Sequence, residues 1–229
     1  MKPINTYYDS KLIAERIHAG QHREMVGGMW DEIGKLQFDY IVANGLTSEM
    51  NFLDVGCGCF RGGVHFIDHL NSGNYYGIDL SQDLMNAGYN TELKQLNLQA
   101  KLPRRNLHCT DDFEATEFEV SFDIALALSV FTHLPLNHLR LCLSRLTKIM
   151  RPRGCFFVTV FNVNDGDDWS RSILHSPGDI TTYPDRDPFH YHLNDLAYCC
   201  EGLPWKLEKL EDWNHPRDQW IATFVRTED

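Results

Sequence analysis

Short, mostly apolar bursts at residues 51–55 (NFLDV), 75–78 (YYGI), 122–126 (FDIAL) and 155–160 (CFFVTV) punctuate the chain. Runs of this length read as strands buried on both faces. A weaker strand is expected over residues 106–109. Between the third and fourth bursts, Leu136, Leu139, Leu143, Leu146 and Met150 recur every three or four residues, a helical stripe that the segment RPRG at 151–154 stops. A further helix is expected from Ser81, a plausible cap, into the nineties. Strands alternating with helices predict a doubly wound, mostly parallel α/β sheet.

The flanks carry additions. Met29, Ile33, Leu36 and Tyr40 share a helical face that ends at Asn44 and Gly45, so residues 1–48 read as an N-terminal helical extension. Residues 162–192 show little periodicity and are too long for an ordinary connection, which predicts a lid or substrate insertion after the fifth strand. Residues 205–213 and 219–226 read as two strands joined by a tight polar turn, an antiparallel pair closing the sheet.

With 229 residues, 43% of them apolar and 23% charged, the chain has the make-up of an ordinary globular domain, and one domain over 1–229 is expected. No stretch reaches the roughly eighteen consecutive apolar residues of a membrane span. Residues 1–20 lack the apolar region of a secretory signal, and a cytoplasmic location is expected. The seven cysteines, odd in number and mostly inside apolar runs, fit reduced thiols. No cysteine pair has zinc-knuckle spacing, and the His65/His69 pair has Phe66 where a zinc protease needs glutamate, so no metal is expected. A net charge of −11 counts against a nucleic-acid partner, and Lys101, Arg104 and Arg105 read as a solvated loop.

Candidate chemistry begins at Gly56 and Gly58, which directly follow a strand, where a missing side chain lets backbone amides approach a ligand. Asp54, inside that strand, is costly to bury unless it satisfies the loop amides or a ligand amino group. Asp79 ends the next strand, where an acid can accept both hydroxyls of a ribose or cap the following helix. Asp111, Asp112 and Phe113 offer an acceptor for an exocyclic amine and a face for a purine, or form a surface turn. Arg61 and Arg23 are rival partners for a carboxylate. For a general base the chain offers His133, and His190 with Asp187 and His192 beside it; either histidine can equally be structural.

The ordered set LDVGCGCFRGG, GIDLSQDLM, CTDDF, FDIALALSVFTHLP and RPRGCFFVTVF, across residues 51–161, resembles class I S-adenosylmethionine-dependent methyltransferases. The resemblance implies a seven-stranded sheet with an antiparallel last strand, and S-adenosylmethionine as a cofactor that leaves as S-adenosylhomocysteine. It implies Asp54, Gly56, Cys57 and Gly58 near the methionine part, with Arg61 or Arg23 on its carboxylate. It further implies Asp79 and Leu80 at the ribose, Asp112 and Phe113 at the adenine, and Ser129, Val130 and Phe131 beside the sulfonium. Residues 128–134 read LSVFTHL in place of the Asn/Asp-Pro-Pro-Tyr/Phe signature that resembles N-methylation of bases and amides. Methyl transfer to an oxygen of a small molecule or glycan is therefore expected, with His133 or His190 as base. Two alternatives stay open: a nicotinamide dehydrogenase, although GCGCFRGG lacks the third glycine of GxGxxG, and a nucleotide-cofactor-binding protein without methyl transfer. Oligomeric state is equally open.

Overall fold

The computed structural model describes residues 5–228 and contains each strand expected from the apolar bursts. In chain order the elements are α1 (Ser10–His18), α2 (His22–Met25), α3 (Trp30–Ala43), β1 (Phe52–Val55), α4 (Gly63–His69), β2 (Tyr75–Asp79), α5 (Gln82–Gly88), β3 (Leu107–Cys109), β4 (Phe122–Ala127), α6 (Leu136–Leu146), β5 (Met150–Asn162), β6 (Ile173–His175), β7 (Ile180–Thr182), β8 (His190–Tyr191), α7 (Leu193–Tyr198), β9 (Trp205–Asp212) and β10 (Gln219–Arg226).

The main sheet runs β3-β2-β1-β4-β5-β10-β9. Strands β1 to β5 are parallel, and β10 is antiparallel to both of its neighbours. This is the expected doubly wound sheet with an antiparallel last strand, plus one short addition. Strand β8 pairs with the end of β5, beyond the point where β4 stops opposite Val158. The order of connections reverses between β1 and β4, and in open parallel sheets that reversal opens a crevice at the carboxyl ends of the strands.

Side chains alternate across a strand, so each buried strand feeds two faces. Leu53, Val55, Ala125, Ala127, Phe156 and Val158 pack under Leu139, Cys142, Leu143 and Leu146 of α6. Phe52, Ile124, Leu126 and Phe157 point the other way, against Ile41 of α3 and Phe66 and Ile67 of α4. Fully burying a side chain of this size contributes about 1.5–3 kcal/mol.

Three local readings change. Helix α6 ends at Leu146, and Met150 begins β5 opposite Phe122, because Pro152 has no amide to continue a helix and the backbone turns there with Arg153 at φ +66°. The buried stripe of α3 is Ile33, Gly34, Gln37 and Ile41, rotated from the expected face, and Met29 stands before the helix in a left-handed conformation. The insertion contains regular structure: β6 and β7 form a separate antiparallel ribbon, and β8 joins the main sheet. Among the described residues no helix is long and apolar enough to cross a membrane.

Candidate active site

At the carboxyl ends of β1, β2 and β4 lies a cleft enclosing about 980 Å³, counting its open mouth. Its floor is the loop after β1. Gly56 and Gly58 adopt φ +78° and +52°, and a β-carbon on either would stand 2.4 Å from Val130 or 2.7 Å from Val26. Only glycine permits that backbone and that approach together.

The loop amides are not presented to the cleft, contrary to expectation. Those of Gly56 and Cys57 donate to the Ile78 carbonyl at 2.8 and 3.1 Å, and that of Gly58 donates to Asp79 Oδ2 at 2.8 Å. The loop is thereby tied to β2, and Gly56, Cys57 and Gly58 line the cleft with their remaining surfaces.

Asp54 and Asp79 both line the cleft. Asp54 is 5% exposed, and its Oδ2 accepts from the Tyr75 hydroxyl at 2.6 Å, not from the loop. Burial pushes its carboxyl up to about 7, against the lowering effect of that hydroxyl. Asp79 accepts the amides of Ser81 and Gly58, yet burial still pushes it up to about 6. Capping of α5 falls to Ser81, whose Oγ accepts from the Leu84 amide at 3.2 Å. Leu80 lines the cleft beside Asp79.

The two arginines part company. Arg23 makes paired bonds to Glu92 at 2.9 and 2.6 Å, lies against the Trp30 ring, and does not line the cleft. Its charge is neutralised elsewhere, which corrects the expectation that it competes for a ligand carboxylate. Arg61 lines the cleft at 7% exposure and donates from Nη1 to the carbonyls of Val26 and Gly28 at 2.7 and 3.0 Å. Among the described residues no carboxylate lies within ion-pair distance of it. Burial lowers its guanidinium to about 10.

After β3 the expected acceptor shifts by one residue. Asp111 and Phe113 line the cleft, whereas Asp112 turns away: its Oδ1 accepts from Thr110 and the Glu114 amide, and its Oδ2 from Arg145 at 2.8 Å. Asp112 therefore braces the turn and α6. Phe113 sits at φ +63°, packed 5.8 Å from Phe131.

At the other end, the loop after β4 is locked by two bonds from Ser129. Its amide donates to Thr159 Oγ1 at 2.7 Å and its hydroxyl to Gln219 Oε1 at 3.0 Å. Ser129, Val130 and His133 line the cleft. His133 Nδ1 lies 2.6 Å from Asp187 Oδ1, which the loop between β7 and β8 carries. Asp187 thus partners a histidine 54 positions away and not its neighbours His190 and His192. His190 does not line the cleft; it is 6% exposed, with Nδ1 2.8 Å from Thr182 and Nε2 2.9 Å from the Trp169 carbonyl. Both its nitrogens are engaged in the insertion, which removes it from the candidate bases. His192 caps α7.

Three further cleft residues, Asn5, Tyr7 and Tyr8, come from the N-terminal segment and were not anticipated. Asn5 Nδ2 donates to the His133 carbonyl at 2.8 Å, and the Tyr7 ring meets that of His133 edge-on at 5.4 Å. Burial pushes the Tyr7 hydroxyl up to about 12, with Arg61 opposing. These residues precede the first amphipathic helix, so hydrophobic periodicity offers no signal for them.

Residues 53–156 match the family model described as a methyltransferase domain. That segment of the chain is thus similar to a methyltransferase domain. The matched segment, a little under half of the chain, holds the glycine loop, Asp79, Asp111 and His133, while Tyr7 and Asp187 lie outside it. Among solved structures the chain is similar to magnesium protoporphyrin IX methyltransferase from Synechocystis PCC 6803 with bound S-adenosylmethionine. The TM-score is 0.66 at 13% identity, covering 99% of this chain and 100% of that one. It is also similar to 1,6-didemethyltoxoflavin-N1-methyltransferase from Burkholderia thailandensis with bound 1,6-didemethyltoxoflavin and S-adenosylhomocysteine (TM-score 0.63, 15% identity, 100% and 93% covered). A glycopeptide N-methyltransferase with S-adenosylhomocysteine gives TM-score 0.62 at 11% identity, with 84% and 90% covered. At these identities the likeness is one of fold. The methyltransferase match sets aside the dehydrogenase alternative.

Proposed function

We propose that this methyltransferase transfers the methyl group of S-adenosylmethionine to an oxygen of a small molecule or glycan, with His133 taking the acceptor proton. The observation that carries this reading is the His133–Asp187 pair, 2.6 Å apart, with His133 on the cleft wall. When Nδ1–H donates to the carboxylate, Nε2 keeps its lone pair, and the carboxylate stabilises the charge that forms as Nε2 takes a proton.

The residues fit the cofactor on the same physical terms. A buried guanidinium with carbonyl partners only is suited to the ligand carboxylate, which favours Arg61 over Arg23. Asp54, with one oxygen bonded to Tyr75, has the other to offer an ammonium. Asp79 is the candidate for the ribose hydroxyls, and Asp111 with Phe113 for the adenine. When bound, the cofactor supplies a methyl group on a positively charged sulfur, already activated toward an oxygen nucleophile. The protein's part is then to align the acceptor, exclude water and receive one proton.

The test is to supply methyl-labelled S-adenosylmethionine with panels of phenols, sugar hydroxyls, carboxylates and amines, and to follow label transfer. O-methylated products are expected, with kcat lowered by about 10²–10⁴-fold in His133→Ala and affinity for S-adenosylhomocysteine unchanged. Label moving only to amines, or turnover indifferent to His133→Ala, would overturn the proposal.

A further inference from the structure

The insertion contains a buried row of polar groups that methyl transfer does not use. It runs from Asp218 Oδ2 to His175 Nδ1 (3.2 Å), from His175 Nε2 to Thr182 Oγ1 (2.9 Å), from Thr182 Oγ1 to His190 Nδ1 (2.8 Å), and from His190 Nε2 to the Trp169 carbonyl (2.9 Å). His175, Thr182 and His190 are 3%, 0% and 6% exposed.

Each of these contacts needs one proton between its two atoms. Both ends of the row can only accept: the Trp169 carbonyl has no proton, and neither does an ionised Asp218. With both imidazoles neutral, the three groups between them bring three protons to four hydrogen bonds. The 3.5 Å approach of Thr182 Oγ1 to the Ile173 carbonyl competes for the same hydroxyl proton and adds none. The row closes only when one imidazole carries a second proton, and His175 then forms a charge-assisted bond with Asp218.

The row brackets the loop that bears Asp187, with Thr182 ending β7 on one side and His190 opening β8 on the other. Within the bracket the Tyr183 amide donates to the Pro188 carbonyl, and the Phe189 amide donates to the Thr132 carbonyl next to His133, both at 2.8 Å.

We propose that Asp218, His175, Thr182 and His190 form a one-proton clasp: carrying the extra proton, it holds the 183–189 loop, and with it Asp187, against His133, and it loosens when that proton leaves. The three central groups are then positioning residues. Their consequence for turnover rests on the reading of His133 as base, but the clasp itself does not. Asp218 and Asp167 favour the proton on His175, while His190 and burial beside the Phe161 ring oppose it. Burial is the largest of these effects and pushes the imidazole below its ordinary range. The clasp is therefore complete at low pH and is lost as pH rises.

The clasp can be read on the full chain without any acceptor. Hydrogen exchange of the 183–189 amides, corrected for intrinsic rates, is followed across acidic to mildly basic pH, alongside ¹⁵N spectra of the imidazole nitrogens. Protection should fall by about ten- to a hundredfold in a one-proton step that coincides with loss of a ring proton at His175 or His190. Thr182→Val should abolish the step and leave protection low throughout, and Thr182→Ser should restore both. Protection that does not vary with pH in the native chain, or a step unchanged by Thr182→Val, overturns the clasp. Should Thr182→Val fail to fold, the native titration and Thr182→Ser decide. A clasp that steps as expected while His133→Ala keeps full turnover would leave the clasp standing and remove the base assignment.

Discussion

Cofactor affinity should rise with pH, and Asp54 is the reason. Burial raises its carboxyl from an ordinary value of about 3.9 to about 7 in the ligand-free cleft. If its free oxygen receives the ammonium of the ligand's amino-acid group, the proton must leave first, and the bound carboxyl returns toward its ordinary range. As far as Asp54 is concerned, about nine-tenths of the free protein is then competent at pH 8 and about one-hundredth at pH 5, so this group alone makes the apparent affinity roughly a hundredfold weaker at the lower pH. Calorimetric titration with S-adenosylhomocysteine across this range, in buffers of different ionisation heat, reads both the affinity and about one proton released per site near pH 5.5. Asp54→Asn keeps the shape and the acceptor for Tyr75 but deletes the titrating group, so the dependence should shrink to at most about the tenfold that Asp79, at about 6, can supply. The same shift sets the sign for the ligand-free fold. Asp54 holds its proton more tightly folded than unfolded, so its contribution is fully present below about pH 4 and is lost as pH rises through 7, by roughly 1.4 kcal/mol per unit. An affinity flat from pH 5 to 8 with no proton released would refute the ammonium role.

Arg61→Met should weaken S-adenosylhomocysteine by about 1.5–3 kcal/mol and leave adenosine, which lacks the carboxylate, unaffected; equal losses for both ligands count against the carboxylate role. Gly88→Ala puts a β-carbon 2.4–2.7 Å from the Cys59 backbone, so α5 must move off the glycine loop. Unfolding free energy should fall by about 1–3 kcal/mol and cofactor affinity with it; an unchanged melting temperature by scanning calorimetry refutes the packing argument. Once an acceptor is found, His133→Ala and Asp187→Asn should each lower kcat, and the double variant should lose little more than His133→Ala alone, since the two act as one unit. Additive losses would show that Asp187 works independently of His133.

The cofactor end was legible because its chemistry sits in contiguous strand–loop–helix units, where spacing and side-chain type alone bring Gly56, Gly58 and Asp79 to one place. Even there the roles of atoms were not legible. The amides of residues 56–58 bind β2 and its terminal Asp79, and the choice between Asp111 and Asp112 depends on which of two adjacent acids faces inward, a matter of local dihedrals. The acceptor end was less legible for a different reason. Asp187 lies near His190 and His192 in sequence, but the backbone pairing of β8 with β5 carries His190 into the insertion's own core and delivers Asp187 to a loop 54 residues upstream. Nothing in a periodicity of 2 or 3.6 encodes that pairing.

This difference has a consequence for specificity. On the proposed assignment the cofactor floor comes from one stretch, whereas the acceptor wall would join residues 5–8, 129–134 and 187 through the Asn5 bond to His133, the His133–Asp187 pair and the Phe189 bond to Thr132. Each segment of that wall is therefore held by another, and the wall is whole only when the N-terminal segment and the insertion are both docked. Changes confined to these two additions can remodel the acceptor pocket while leaving Asp54, Asp79 and Arg61 in place.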